Sequence, residues 1–180
     1  MPLNYIKVNN TYQNSNKLKH LFEHAFPIEE RPSFNMMMEF KNHEMYAIEE
    51  NDTFIGLVDL VKYEDLMYIF FLALKKTYRH KGYGTKILSY IKNKYGNDYR
   101  IYLMAEDPYI ECDNKDERNN RLKFYMKNGF KTNKETVIEF GVQYLILYQG
   151  ERVTKEDFLN TMKYFLGDKR YHSFYLKHVQ

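Results

Sequence analysis

The stretch "LMYIFFLAL" (66–74) constrains the fold more than any other. It is too short to cross a membrane and carries no polar alternation, so it reads as a strand covered on both faces. A strand of that kind needs a layer on each side. The chain then runs at once through "KKTYRHKGYG" into a helical repeat of Ile87, Leu88 and Ile91 that stops near Gly96. A strand, a basic glycine turn and a helix in immediate succession predict an α/β architecture with helices on both faces of a sheet.

The flanking segments fill in that sheet. "YIKV" (5–8) is a first strand, and "NKLKHLFEHAF" (16–26) places Leu18, Leu21, Phe22, Ala25 and Phe26 on one helical face before Pro27. "SFNMMMEF" (33–40) opens with a capping Ser33 as a short second helix. "EMYAIEE" (44–50) and "TFIGLVDLV" (53–61) flank the turn-like "NDT" and read as a hairpin. "YRIYLMA" (99–105) is the next strand. A charged loop over 106–117 leads to the helix "RNNRLKFYMKNGF", stopped by Gly129. "TVIEF" and "QYLILY" pair around Gly141, and Thr154 with Asp157 forms a capping box on a final helix ending at Gly167.

With 180 residues the chain is expected to form one domain over 1–180, with a core of about 5–150 and a helical appendage after it. Its 27 basic and 24 acidic residues leave a net charge of only +3, which argues against a dedicated nucleic-acid binder. The one cysteine, Cys112, rules out an intrachain disulfide and a Cys-rich zinc site. His20 and His24 are four apart on the first helix, but no third ligand accompanies them, so no metal is expected. Without a leader or a membrane-length apolar run, the chain reads as cytoplasmic.

Gly82 and Gly84 let the chain turn sharply where strand meets helix, and the first free amides of that helix make an anion site. Lys75, Lys76, Arg79, His80 and Lys81 add positive charge. A Walker loop is excluded, because Thr85 and then Lys86 follow Gly84. A dinucleotide fingerprint is excluded by Ile87 where a third glycine belongs. By itself the loop is either a phosphate cradle or a plain strand-to-helix turn.

A second motif lies 40 residues on. Arg79-His80-Lys81-Gly82-Tyr83-Gly84 fits the pattern R/Q-x-x-G-x-G/A, and "FYMKNGF" supplies Tyr125 followed by Gly129-Phe130. In both motifs, and in element order over about 45–150, the chain resembles the GNAT family of N-acetyltransferases. The resemblance implies a mixed, mostly antiparallel sheet of about seven strands, splayed between the fourth and fifth. It implies acetyl-CoA as acyl donor, with its pantetheine arm along Phe71, Leu72 and Leu74 and its pyrophosphate on the loop Arg79, His80, Lys81, Gly82, Tyr83, Gly84 and Thr85. It also implies an amine acceptor that attacks the thioester through a tetrahedral intermediate, with Tyr125 as general acid.

The base is less determined: Glu106 leads, ahead of Glu64, Asp65, Glu29 and Glu30, with ordered water as a further route. Where many members of that family carry a cofactor-contacting Asn, seven residues before the Tyr, this chain has Arg118. Asn119 could take the role after a one-residue shift, or Arg118 could reach a phosphate. The first two helices would line the acceptor site, with Met36, Met37 and Met38 either an adaptable wall or ordinary core. The acceptor itself, a small amine or a peptide, is not specified. A non-catalytic acyl-CoA-binding module is the alternative, and the aromatic segment "YHSFYLKHVQ" could pack on its own sheet or join a homodimer.

Overall fold

The structure is a computed structural model that describes residues 2–9, 11–28 and 31–180. Its strands are β1 (Asn4–Lys7), β2 (Glu44–Glu50), β3 (Thr53–Tyr63), β4 (Leu66–Leu74), β5 (Arg100–Glu106), β6 (Thr136–Glu139) and β7 (Val142–Gln149). The helices are α1 (Ser15–Ala25), α2 (Phe34–Glu39), α3 (Tyr83–Tyr95), α4 (Lys115–Lys127), α5 (Lys155–Leu166) and α6 (Asp168–Ser173). One seven-stranded sheet runs β1-β2-β3-β4-β5-β7-β6. Every pairing is antiparallel except β4–β5, which is parallel because α3 carries the chain back between them.

Alternation along the strands sorts the apolar residues into two layers. On one face Leu18, Phe22, Met37, Phe71, Tyr102, Phe158, Met162 and Phe165 pack α1, α2 and α5 against the sheet. On the other, Ile69, Ile87, Leu88, Ile91, Leu103 and Leu122 pack α3 and α4. The run at 66–74 is therefore covered on both sides, as its lack of alternation predicts. Asn51 and Asp52 link β2 to β3 with φ of 48° and 59°, the two left-handed residues of a primed hairpin turn.

Two features of β4 shape the site. Leu60 pairs with Ile69 and Asp59 pairs with Phe71, so Phe70 is an extra residue, a β-bulge. Phe70 and Phe71 consequently face the same layer: Phe71 meets Phe22 and Phe26 at ring-centroid distances of 5.0 and 4.7 Å, and Phe70 meets Phe165 at 5.1 Å. Beside the bulge, β4 and β5 part. They pair only at Leu66–Arg100, Met67–Ile101 and Tyr68–Tyr102, and the remainder of each strand diverges. The stacked rings of Tyr68 and Tyr102, 4.7 Å apart, fill the apex of the opening.

One local expectation is corrected, and the C-terminal segment takes one of its two expected places, on its own sheet. The helix read as starting at Arg118 begins at Lys115, where Asp116 and Glu117 sit favourably in its first turn. The terminal segment continues past Gly167 into α6 and a 3₁₀ turn at Tyr175–Lys177. Residues 178–180 then add to the outer edge of β6, with the Ile138 amide donating to Gln180 O at 2.9 Å and the Phe140 amide to His178 O at 2.8 Å. Tyr171 and Tyr175 share the core of Phe22 and Phe71, so this segment is packed into the molecule.

The sequence pattern gave no sign of a buried polar pair in the same layer. His43 Nδ1 lies 2.5 Å from Asp59 Oδ1, and their side chains are 5% and 0% exposed. Asp59 Oδ2 has no hydrogen-bond partner among the described residues. Burial by itself would lower the affinity of His43 for a proton. The bond to Asp59, with the Met37 and Phe40 carbonyls on the ring, reverses this and raises its pKa. The pair ties α2 to β3 directly behind the bulge.

Candidate active site

The β4–β5 opening is set on the layer of α3 and α4 by a short loop. Leu74 ends β4, a 3₁₀ turn follows at Lys76–Tyr78, and His80 and Gly82 take left-handed conformations with φ of 59° and 81°. Gly82 is the N-cap of α3 and has no side chain to offer as a cap. The first intrahelical acceptor is Gly82 O, reached by the Lys86 amide at 3.1 Å. The amides of Tyr83, Gly84 and Thr85 accordingly lie at an open, positively polarised helix end.

The two glycines have different reasons to be there. A Cβ on Gly82 would meet nothing within 4 Å, so its backbone angle is what calls for glycine. A Cβ on Gly84 would lie 2.8 Å from Phe124 Cζ. Gly84 thus lets α4 close on α3, which places the helix bearing Tyr125 next to the loop.

Side chains of the loop are largely committed. Arg79 Nε donates to Leu74 O at 3.1 Å, joining the ends of the loop. The Tyr83 hydroxyl donates to Glu50 Oε2 at 2.5 Å, turning its ring towards the β2–β3 hairpin. His80, Lys81 and Thr85 are exposed. Along β4, Leu72 and Leu74 pack towards α3 and α4, while Phe71 packs towards α1.

Tyr125 lies on α4, half-buried, with Phe124 at 5.2 Å and Phe130 at 5.9 Å around its ring. Gly129, at φ 86°, ends the helix so that the Phe130 amide can bond back to Tyr125 O at 3.2 Å. The phenol makes no hydrogen bond among the described residues. Burial pushes its pKa up, and the nearby Arg121 charge pulls it down.

Glu106 ends β5, and both of its oxygens are engaged. Oε1 lies 3.1 Å from Arg118 Nη2 and accepts from Asn114 Nδ2 at 3.5 Å, and Oε2 accepts from Arg121 Nη2. Arg118 also donates to Asn114 Oδ1 at 2.8 Å and to Asp107 O at 3.1 Å. Arg118 is thus engaged at the end of β5. Asn119, its neighbour, makes no such bonds among the described residues. Asp107 is held by the Tyr109 amide at 2.8 Å and by Gln143 Nε2 at 2.7 Å.

The remaining acid candidates separate from this place. Asp65, bonded to Arg100 Nε at 2.6 Å, and Glu64 precede β4 at the closed end of the opening. Glu29 and Glu30 lie outside the described residues. Met37 is core, Met36 is exposed and Met38 packs at the edge of the core. The α1–α2 connection is pinned by Arg31, which donates to the carbonyls of Phe26, Pro32 and Glu23 at 3.1, 3.3 and 3.0 Å. His20 and His24 stack at 4.0 Å, and among the described residues no three His, Cys, Asp or Glu side chains gather as a metal site. Among the same residues no helix is long and apolar enough to cross a membrane.

The site thus combines a parallel strand pair that parts beside a bulge, an uncapped helix end at its mouth and a phenol on the next helix. The family model for the acetyltransferase (GNAT) domain matches residues 41–132, and the chain belongs to that family of acetyltransferases. No curated protein matches by sequence. Among solved structures, a GNAT-family protein from Bacteroides thetaiotaomicron is 20% identical, covers 91% of this chain and 95% of its own, and superposes with a TM-score of 0.71. A GNAT acetyltransferase from Elizabethkingia anophelis, with acetyl-CoA bound, is 16% identical over 83% of this chain and 98% of its own, at 0.58. Arabidopsis thaliana Naa50, in complex with a bisubstrate analogue CoA-Ac-MVNAL, is 18% identical over 84% of this chain and 100% of its own, at 0.61.

Proposed function

We propose that the chain transfers the acetyl group of acetyl-CoA to an amine by direct attack, with the thioester held in the β4–β5 opening. The carrying observation is that β4 and β5 pair through Tyr68–Tyr102 and no further, leaving two strand edges facing each other beside a bulge. An extended pantetheine arm can add to such an edge by main-chain hydrogen bonds, at Phe71, Leu72 and Leu74. The open amides of Tyr83, Gly84 and Thr85 suit a pyrophosphate, and the charges of Arg79, His80 and Lys81 suit its neighbourhood. Asn119 is the better side chain for the remaining cofactor contact, because Arg118 is committed to Glu106.

The donor's phosphates then belong to the α3 layer. The amine reaches the thioester from the opposite layer, past Phe71, Phe26 and the connection held by Arg31. Attack puts negative charge on the thioester oxygen, which a β4 amide at the bulge can stabilise. Collapse of the intermediate breaks the C–S bond, and the Tyr125 hydroxyl supplies the proton the sulfur takes up. Glu106 gives both oxygens to guanidinium and amide donors, so we assign it to anchoring α4. The ammonium proton leaves through water.

The test is calorimetric binding of acetyl-CoA followed by thiol release with a panel of small amines and peptide N-termini. Gly82→Val must force a β-branched residue into the left-handed region, costing about 1–2 kcal/mol. It should therefore weaken acetyl-CoA binding about tenfold. Acetyl-CoA binding with no thiol release above the amine-free rate would overturn the catalytic reading.

A further inference from the structure

We propose that Arg121 sets the acidity of Tyr125 in the transfer step, and that Glu106 is the positioning residue that aims Arg121. The inference rests on Tyr125 being the general acid. Arg121 and Tyr125 are four residues apart on α4, hence on one face of the helix. A free arginine there would wave in solvent, since its side chain is 47% exposed. Glu106 Oε2 accepts a hydrogen bond from Arg121 Nη2 and draws the guanidinium back to the end of β5. Arg118 and Asn114 hold the same carboxylate through Oε1, so Glu106 itself cannot swing away.

The surroundings of the phenol make that one charge count. Phe124 and Phe130 flank the ring and carry no charge. Apolar burial disfavours the phenolate, and Arg121 is the charged group that opposes it. From β5 the groups facing Arg121 are Glu106 and, one residue on, Asp107, whose carboxylate is occupied by Tyr109 and Gln143. From α4 itself the charged residues at helical spacing are Arg118, three before Arg121, and Glu117, four before it.

The proton balance follows. When the C–S bond breaks, the electron pair goes to sulfur, the Tyr125 proton moves to it, and free CoA thiol leaves. A phenolate remains on Tyr125, and the Arg121 guanidinium lies beside the charge until a solvent proton restores the phenol. A buried phenol without this neighbour would be a weaker acid towards the thiolate, and its phenolate would be harder to form.

The test is the pH profile of thiol release for wild type, Tyr125→Phe, Arg121→Gln, Arg121→Lys and Glu106→Gln, each as the full chain. The reaction needs a protonated Tyr125, so wild-type activity should fall on the alkaline side as that proton is lost. This limb should vanish in Tyr125→Phe. In Arg121→Gln it should move up by about one pH unit, with kcat at neutral pH about tenfold lower and KM for acetyl-CoA unchanged. Arg121→Lys should recover most of the loss, and Glu106→Gln should move the limb in the same direction as Arg121→Gln. An alkaline limb that persists in Tyr125→Phe overturns the assignment of the acid, and this inference with it. A limb that vanishes in Tyr125→Phe but stays in place in Arg121→Gln overturns the role of Arg121 alone. A downward shift in Glu106→Gln would make Glu106 a counter-charge and not the positioning residue.

Discussion

Tyr125→Phe is expected to lower kcat on the order of a hundredfold or more while leaving KM for acetyl-CoA within about twofold, the pattern for a proton donor needed only at the barrier. Phe keeps the ring contacts with Phe124 and Phe130, so the packing of α4 on its layer should survive. No hydrogen bond is lost either, because the phenol makes none among the described residues. The melting temperature should stay within a degree or two of wild type, separating chemistry from folding. A variant that keeps full kcat would return Tyr125 to an ordinary packing residue. The sulfur would then leave as thiolate or take its proton from water.

The second large effect concerns stability. Asp59→Ala should cost about 3–5 kcal/mol, because it leaves the His43 imidazole buried without its carboxylate. At this chain length that is a fall in melting temperature on the order of 10 °C. Replacing both partners by apolar residues, as in His43→Leu with Asp59→Val, should cost less than the two single changes summed, since no charge is then stranded.

The same pair carries a pH dependence with a definite sign. The folded-state pKa of His43 is raised above the ordinary 6.5. Its contribution is fully present below that value and is lost as the pH rises through the folded pKa. Burial also holds the Asp59 carboxyl above its usual range, so the reference must lack both groups. Thermal denaturation from about pH 6 upwards should show wild type losing stability that the double variant His43→Leu with Asp59→Val does not lose. Equal pH slopes in the two proteins would mean that His43 is not charged in the folded state. Because the pair holds α2 behind the bulge, Asp59→Ala should also raise KM for the amine more than KM for acetyl-CoA.

Several elements could be read without tertiary information because neighbours along the chain decide them. The uninterrupted run at 66–74 announces a strand covered on both faces, and the repeat Ile87, Leu88, Ile91 announces a helix directly behind a glycine turn. Thr154 and Asp157 announce a cap, which the structure shows as reciprocal bonds of 2.8 and 3.2 Å. Element order, together with two glycine-marked motifs, was enough to point to a family, because a turn at Gly82 and a helix stop at Gly129 are backbone requirements that only a few residues meet.

Side-chain roles were legible only as far as their partners were local. Glu106 looks like a free acid at a strand end, but its guanidinium partners stand 12 and 15 residues further on, on a helix that packs back over β5. Arg118 looks available for a phosphate until that same packing commits it. Gly84 looks like a cradle residue, and only the approach of Phe124 shows that it makes room for α4. The bulge at Phe70 and the pair of His43 with Asp59 leave no periodic trace, since each depends on the register between strands or on a contact between two elements. The sequence by itself determined most of the strands and helices, where the chain must turn, and that a basic glycine loop joins β4 to α3, because those follow from spacing and backbone freedom. Only the tertiary structure decided which charged groups are spent on one another and which remain for chemistry, because an ion pair is settled by distances through space.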